Sequence, residues 1–179
     1  MLEGIRLEKT EVRTATVSDV PIIAHIINEA WKSAYAGIVP QPVLGALSDE
    51  KKAAQLRIGL QRYPTMRYYL LEADGMPLGA ASLHPTRDVD LPDAAEFSFF
   101  YFLPGVWRRG YGTILLHYLI HEAEERGYRQ ICCWVLEENK RAVAFYESQG
   151  MLRDGKLQTV SIGKDLTAVR YVMDLPFKE

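Results

Sequence analysis

Apolar positions along this chain change period in an order that alternates strands with helices. Residues 12–16 read as a strand, and Ser18-Asp19 followed by Pro21 marks a helix start for residues 22 to about 35. Residues 37–42, with Gly37, Pro40 and Pro42, read as a loop. Ser48-Asp49-Glu50 then offers a cap and first-turn acids to a second helix that ends before Pro64. Residues 68–73 and 78–83 read as strands joined across Asp74-Gly75, a hairpin signal because both residues tolerate positive φ. A further strand over 96–103 runs into Pro104-Gly105. Beyond it, Leu115, Leu116, Leu119, Ile120 and Ala123 fall at offsets of 0, 1, 4, 5 and 8, one face of a 3.6-residue period, and Gly127 suits that helix's end. Residues 131–136 form an apolar strand, Asn139 caps a short helix closed by Gly150, and 157–162 and 169–175 supply the last strands. A crossover helix between strands 96–103 and 131–136 requires those two to be parallel. With no repeat or linker in view, residues 1–179 read as one α/β domain.

Where the pattern passes from strand to helix, the chain reads Trp107-Arg108-Arg109-Gly110-Tyr111-Gly112-Thr113. Two glycines bring backbone close to a ligand, and the first N–H groups of a helix have no intrahelical partners, which suits a phosphate. Gly-x-Gly before a helix is also what a tight strand-to-helix turn uses. A second segment, Asn139-Lys-Arg-Ala142 through Phe145-Tyr146 to Gly150-Met151, follows the apolar strand and adds weight to the ligand reading.

In these two segments the chain resembles the GNAT superfamily of acyl-CoA-dependent N-acetyltransferases. The superfamily motif is a strand ending near a proline and then Arg/Gln-x-x-Gly-x-Gly/Ala at a helix start. Gly110 and Gly112 match both glycines, and Trp107 stands where Arg or Gln is usual. The later motif, Asn-x-x-Ala, an aromatic-Tyr pair and Gly-Phe, is matched by Asn139, Ala142, Phe145-Tyr146 and Gly150, with Met151 in place of Phe. The resemblance implies a single-domain GNAT fold, a mixed and mostly antiparallel sheet with one parallel strand pair flanked by helices. It also implies acetyl-CoA as co-substrate and a primary amine, on a small molecule or peptide, as acceptor.

By the same resemblance, backbone at Phe102 and Leu103 pairs with the pantetheine amides as an added strand would. N–H groups from Trp107 through Gly110, Tyr111 and Gly112 to Thr113 hold the pyrophosphate, with Arg108 and Arg109 either adding charge or standing solvated. Asn139 bonds the pantetheine arm or serves only as a cap, and Ala142 and Phe145 flank the arm.

Acetyl transfer needs a neutral amine and a proton for the leaving thiolate, whose thiol titrates at roughly 8.5. Tyr146, a phenol of pKa near 10, fits the donor role or is a packed aromatic. Glu96 stands eleven residues before Trp107, the spacing at which histone-type members of the superfamily carry a glutamate general base. The resemblance implies that role for it, with a salt-bridged structural carboxylate as the other reading. His84 is a weaker candidate base. Trp31, Tyr35 and the loop after them supply an acceptor wall or plain core. Asp88, Asp90 and Asp93 form a site for a cationic amine or a solvated loop. O-acylation, a longer acyl donor and a catalytically silent acyl-CoA sensor stand as alternatives.

Composition narrows the field further. A chain of 179 residues, 48% hydrophobic and 25% charged, supports a sizeable core, and a net charge of −2 argues against general nucleic-acid binding. There is no run of 18 apolar residues and no continuous apolar signal-peptide core, so a cytoplasmic location without membrane attachment is the expectation. Cys132 and Cys133 are adjacent in a strand and point to opposite faces, which disfavours a disulfide between them. His117 and His121 stand i, i+4 without a third ligand, so no metal site is expected. Acceptor identity and oligomeric state are not legible, although homodimers are common among proteins of this resemblance.

Overall fold

The computed structural model describes residues 9–176; residues 1–8, which bear on the N-terminal targeting expectation, and 177–179 lie outside the description. Strand β1 (Thr10–Thr14) leads through a 3-10 turn (Val17–Asp19) into α1 (Val20–Ala34). Then come α2 (Gln41–Gly45), α3 (Asp49–Arg62), β2 (Arg67–Ala73), β3 (Met76–Pro85), β4 (Ala94–Glu96) and β5 (Phe100–Phe102). A second 3-10 turn (Pro104–Val106) precedes α4 (Tyr111–Glu125), β6 (Gln130–Leu136), α5 (Lys140–Ser148), β7 (Leu152–Ser161) and β8 (Asp165–Asp174). The eight strands form a sheet in the order β1-β2-β3-β4-β6-β8-β7, with β5 paired to β3 beyond β4. Only β4 and β6 run parallel among the described pairs, as a crossover through α4 demands.

Period-2 alternation divides the core between the two faces of the sheet. On one face Leu71, Leu83, Cys133 and Val135 pack under α4, which turns Leu115, Leu116 and Leu119 inward, and under Tyr146 of α5. On the other, Leu70 and Ala80 meet Ile23, Ile26 and Ile27 of α1 and Leu56 of α3. Beside them, Leu44 of α2 and Tyr35 pack on Leu136 and Ala168. Local signals account for the helix ends. Ser48 Oγ accepts the Lys51 N–H at 3.3 Å at the start of α3. At the end of α4 the Tyr128 N–H reaches the Ala123 carbonyl (3.1 Å) and the Gly127 N–H reaches Glu124 (2.9 Å), a paired closure that satisfies two orphan carbonyls.

Three readings of the sequence need correction. Part of the loop over 37–42 is the start of α2, because Pro42 sets the helical φ of a first turn and Leu44 is buried. The strand over 96–103 is two strands, since Ser82 Oγ accepts the N–H groups of Ser98 (3.0 Å) and Phe99 (3.2 Å) and takes the place of a ladder there. The last hairpin is longer than 157–162 and 169–175. Strand β7 begins at Leu152 and carries a bulge between Arg153 and Leu157, but it is an exposed edge strand with no apolar alternation to read. Among the described residues no helix is long and apolar enough to cross a membrane.

Candidate active site

The strand break opens the sheet. Up to Glu96 the chain pairs with both β3 and β6, and the Phe97 N–H still reaches the Cys132 carbonyl at 3.1 Å. Past that point β5 pairs with β3 alone, while β6 continues alongside β8 to Leu136. A gap therefore separates β5 from the far half of β6, and a cavity of about 360 Å³ occupies it. The Ser82 N–H bonds the Phe99 carbonyl (3.0 Å) and the Leu103 N–H bonds the Leu78 carbonyl (2.9 Å), so odd-numbered residues of this stretch face β3. By alternation Phe100 and Phe102 turn their backbone groups into the gap. The expected backbone pair at Phe102 and Leu103 is thereby corrected: Leu103 faces β3 and does not line the cavity.

At the mouth of the gap lies the glycine turn. Gly110 has φ 87°, the left-handed region, and Arg108 has φ 64°, strained for a residue with a Cβ. The first intrahelical bond of α4 runs from the Ile114 N–H to the Gly110 carbonyl (3.2 Å), so Gly112 and Thr113 are first-turn residues beside the cavity they line. The Trp107 N–H bonds the Pro104 carbonyl at 3.4 Å inside the 3-10 turn. Its indole N–H ties the loop to the Phe102 carbonyl at 3.0 Å. Trp107 thus braces the loop with its side chain, in contrast to the expected backbone role. Gly112 is small for packing: a Cβ there would lie 3.1 Å from the Phe145 ring. Arg108 lines the cavity and Arg109 does not; a cation that motif reading missed, Arg141, stacks 3.8 Å from the Trp107 ring centre and also lines it.

Helix α5 and its cap carry two buried polar groups, Asn139 and Tyr146. Asn139 Oδ1 caps it by accepting the Ala142 N–H at 3.3 Å, and the Met151 N–H closes its far end on the Tyr146 carbonyl at 3.1 Å. Both ends of the helix are therefore satisfied, and Tyr146 is held against Phe97 and Phe145, with ring centres 5.7 and 5.4 Å away. Phe145 in turn stacks on Phe100 at 5.8 Å. Burial pushes the Tyr146 phenol far above its usual titration range, so it stays protonated. Asn139, Ala142, Phe145 and Tyr146 all line the cavity, along with Tyr111.

Glu96 stands apart. It is 1% exposed, lies outside the cavity lining, and is engaged by Arg87 through the guanidinium and through the backbone N–H at 3.2 Å. Its oxygens hold the Arg87 guanidinium, the ion pair that the second of its two readings called for. His84 is paired in register with Glu96, gives or shares Nδ1 with the Pro85 carbonyl at 2.8 Å, and also lies off the cavity. Asp88 and Asp90 are ion-paired at the surface, Asp88 partly buried and Asp90 exposed, while Asp93 is exposed. Arg170, 2% exposed on β8, holds Asp88 at 2.9 Å and Asp90 at 2.8 Å and pins residues 86–93 over the sheet. Cys132 Sγ lies 3.8 Å from Thr86 Oγ1 under the same segment, and burial pushes its thiol up to about 12, which leaves it unreactive.

The site thus combines an α/β sheet split beside its parallel pair, a glycine turn at one end of the gap and a buried tyrosine within it. Residues 25–151 match the model of the Acetyltransferase (GNAT) family, and the chain belongs to that family. Over 85 residues it is 32% identical to an uncharacterized N-acetyltransferase of Methanocaldococcus jannaschii, a match that spans 46% of this chain and 38% of that protein. It is 24% identical over 177 residues to the uncharacterized N-acetyltransferase YuaI of Bacillus subtilis, covering 91% of this chain and 98% of YuaI. A similar fold is seen in the PaiA N-acetyltransferase of Thermoplasma acidophilum, solved in complex with coenzyme A, with a TM-score of 0.68 at 20% identity over 90% of this chain and 98% of that one.

Proposed function

We propose that this protein transfers the acetyl group of acetyl-CoA to a primary amine of a small molecule or peptide. The observation that carries the reading is the cavity itself, which runs from the glycine turn at Gly110 and Gly112, through the gap between β5 and β6, to Tyr146. The PaiA relative was solved with coenzyme A, in keeping with such a donor. In this reading the first turn of α4 receives the pyrophosphate, with Arg108 and Arg141 adding charge. The backbone of Phe100 and Phe102 receives the pantetheine amides, and Asn139, Ala142 and Phe145 border the arm.

The amine nitrogen attacks the thioester carbon, forming a C–N bond as the C–S bond breaks. Tyr146 gives its phenolic proton to the departing thiolate and is reprotonated, directly or through water, by the proton the nitrogen loses. Burial keeps the phenol protonated at neutral pH, so the proton is present when the thiolate leaves. Glu96 anchors Arg87 and takes no proton. The acceptor therefore enters as the free amine.

Acetyl-CoA at about 100 times its dissociation constant stabilises a fold by about 2.7 kcal/mol, a melting rise of roughly 5 to 10 °C for a chain of this size. Thiol release over an amine panel then measures turnover. A melting rise without thiol release from any amine would favour a silent acyl-CoA sensor; no rise with acetyl-CoA or CoA would sink the donor assignment.

A further inference from the structure

The cavity passes through the sheet and ends under α1, and the walls of that end differ in kind from those at Tyr146. Tyr35, at the C-terminus of α1, and Tyr101, on β5, place their hydroxyls 3.0 Å apart, with the Asn139 side chain beside the Tyr35 hydroxyl. Ala30, Ala34, Phe99 and Trp134 complete this wall. Among the described residues, the side-chain charges of the lining are Arg108 and Arg141, both cationic and both at the glycine-turn end; no carboxylate lines the cavity. Asp88, which the Trp134 indole N–H reaches at 2.9 Å from behind this wall, is already held by Arg170, as is Asp90.

An ammonium group buried here would have no counter-ion, and the desolvation of an unpaired charge costs several kcal/mol. A neutral amine meets no such barrier. Two phenols that share one hydrogen bond still present oxygen lone pairs, which accept amine N–H groups and leave the nitrogen's own lone pair free for the thioester carbon. The aromatic and alanine walls favour an apolar substituent. A cavity of about 360 Å³ that must also admit the end of the donor arm leaves room for a small one.

We propose that the α1 end of the cavity is an acceptor subsite for small apolar monoamines, bound uncharged with the nitrogen against the Tyr35 and Tyr101 hydroxyls. This rests on the acetyl-transfer reading and adds the substrate class to it. Polyamines and other polycations are excluded by the wall that lacks carboxylates.

The test uses the full chain with acetyl-CoA and compares kcat/KM for phenethylamine, spermidine and an alanine-initiated peptide, with the melting rise on acetyl-CoA as a separate readout. Phenethylamine is expected to exceed spermidine by at least about tenfold. Tyr35→Phe and Tyr101→Phe should each raise KM for phenethylamine roughly 2- to 10-fold, the loss of one hydrogen bond, while the acetyl-CoA melting rise stays. Ala34→Asp, which adds a carboxylate to the half-buried wall, should move the preference toward spermidine. If spermidine or the peptide is the better wild-type substrate, if both tyrosine variants keep the wild-type KM, or if no amine reacts although acetyl-CoA raises the melting temperature, the subsite is not the one proposed. Failure of acetyl-CoA to raise the melting temperature overturns the donor reading instead.

Discussion

On the α4 and α5 side, the cavity is walled by short contiguous segments: the turn through Gly110 and Gly112, and the helix from Asn139 to Tyr146. On the α1 side it is assembled from Tyr35, Tyr101 and Trp134, three residues separated by tens of positions and carried on a helix and two strands. The first wall is made by backbone geometry and helix ends, which local sequence dictates. The second is made by side chains that meet only after the sheet has formed. Shape at the glycine-turn end is thus a property of two motifs, and the lining at the α1 end is a property of the whole fold.

The sharpest way to separate the two walls is at the tyrosine where they meet. Tyr146→Phe keeps the ring packed on Phe97 and Phe145 but deletes the proton donor, so turnover should fall by about 10²- to 10⁴-fold at unchanged acetyl-CoA affinity. Single-turnover kinetics alongside calorimetric binding would check it, and a wild-type rate would remove Tyr146 from the chemistry.

Next in size is the acceptor-side brace. Arg170→Met leaves Asp88, Asp90 and Asp154 without their shared cation. The expected loss is roughly 2 to 3 kcal/mol, below the value for a fully buried pair because the aspartates keep some solvent. Melting should drop by about 4 to 12 °C, with acetyl-CoA affinity of the folded protein kept. An equal loss of acetyl-CoA affinity would mean that the two walls are one cooperative unit.

On the donor side, Gly112→Val drives a branched side chain against the Phe145 ring, 3.1 Å from the new Cβ. Overpacking of this kind costs roughly 1 to 3 kcal/mol. Because Phe145 borders the cavity, acetyl-CoA binding should weaken as well, and isothermal titration of the folded variant would show it. Unchanged affinity would place the phosphate away from this turn.

Acid should act on the acceptor side first. Arg170, helped by Lys156, holds the Asp90 carboxyl well below the usual carboxylate range, and Arg13 does the same for Asp19 at the start of α1. A folded-state pKa below the unfolded value gives stability that is present above about pH 4 and is lost as the pH falls further. Hydrogen exchange between pH 5 and 3 should therefore release the amides of residues 86–93 and the start of α1 before those of α4, and Asp90→Asn should remove most of that pH dependence in the loop. Loss of α4 protection first would contradict it.

The smallest effect is expected at Glu96. Because the carboxylate serves Arg87, whose side chain is largely in solvent, Glu96→Gln should change turnover by only a few-fold with no new pH dependence. A hundredfold fall concentrated at low pH would restore the base role that its spacing before Trp107 implied.

The sequence by itself determined the alternation of strands and helices, the parallel pair, the glycine turn and the helix bearing Tyr146. Each of these is written in neighbouring residues: a cap, a 3.6-residue stripe, a glycine where the backbone turns or another ring approaches. Tertiary structure alone decided the rest. The split between Glu96 and Phe100 depends on Ser82, a hydroxyl on a different strand that takes two backbone N–H groups. The fate of Asp88 and Asp90 depends on Arg170, about eighty residues away, and the Glu96 carboxylate is engaged by Arg87, which no spacing rule anticipates. The physical reason for these partner choices is the same. Backbone geometry is settled over a few residues, whereas the partner of a buried charge or hydroxyl is whichever group the folded sheet brings within hydrogen-bond reach.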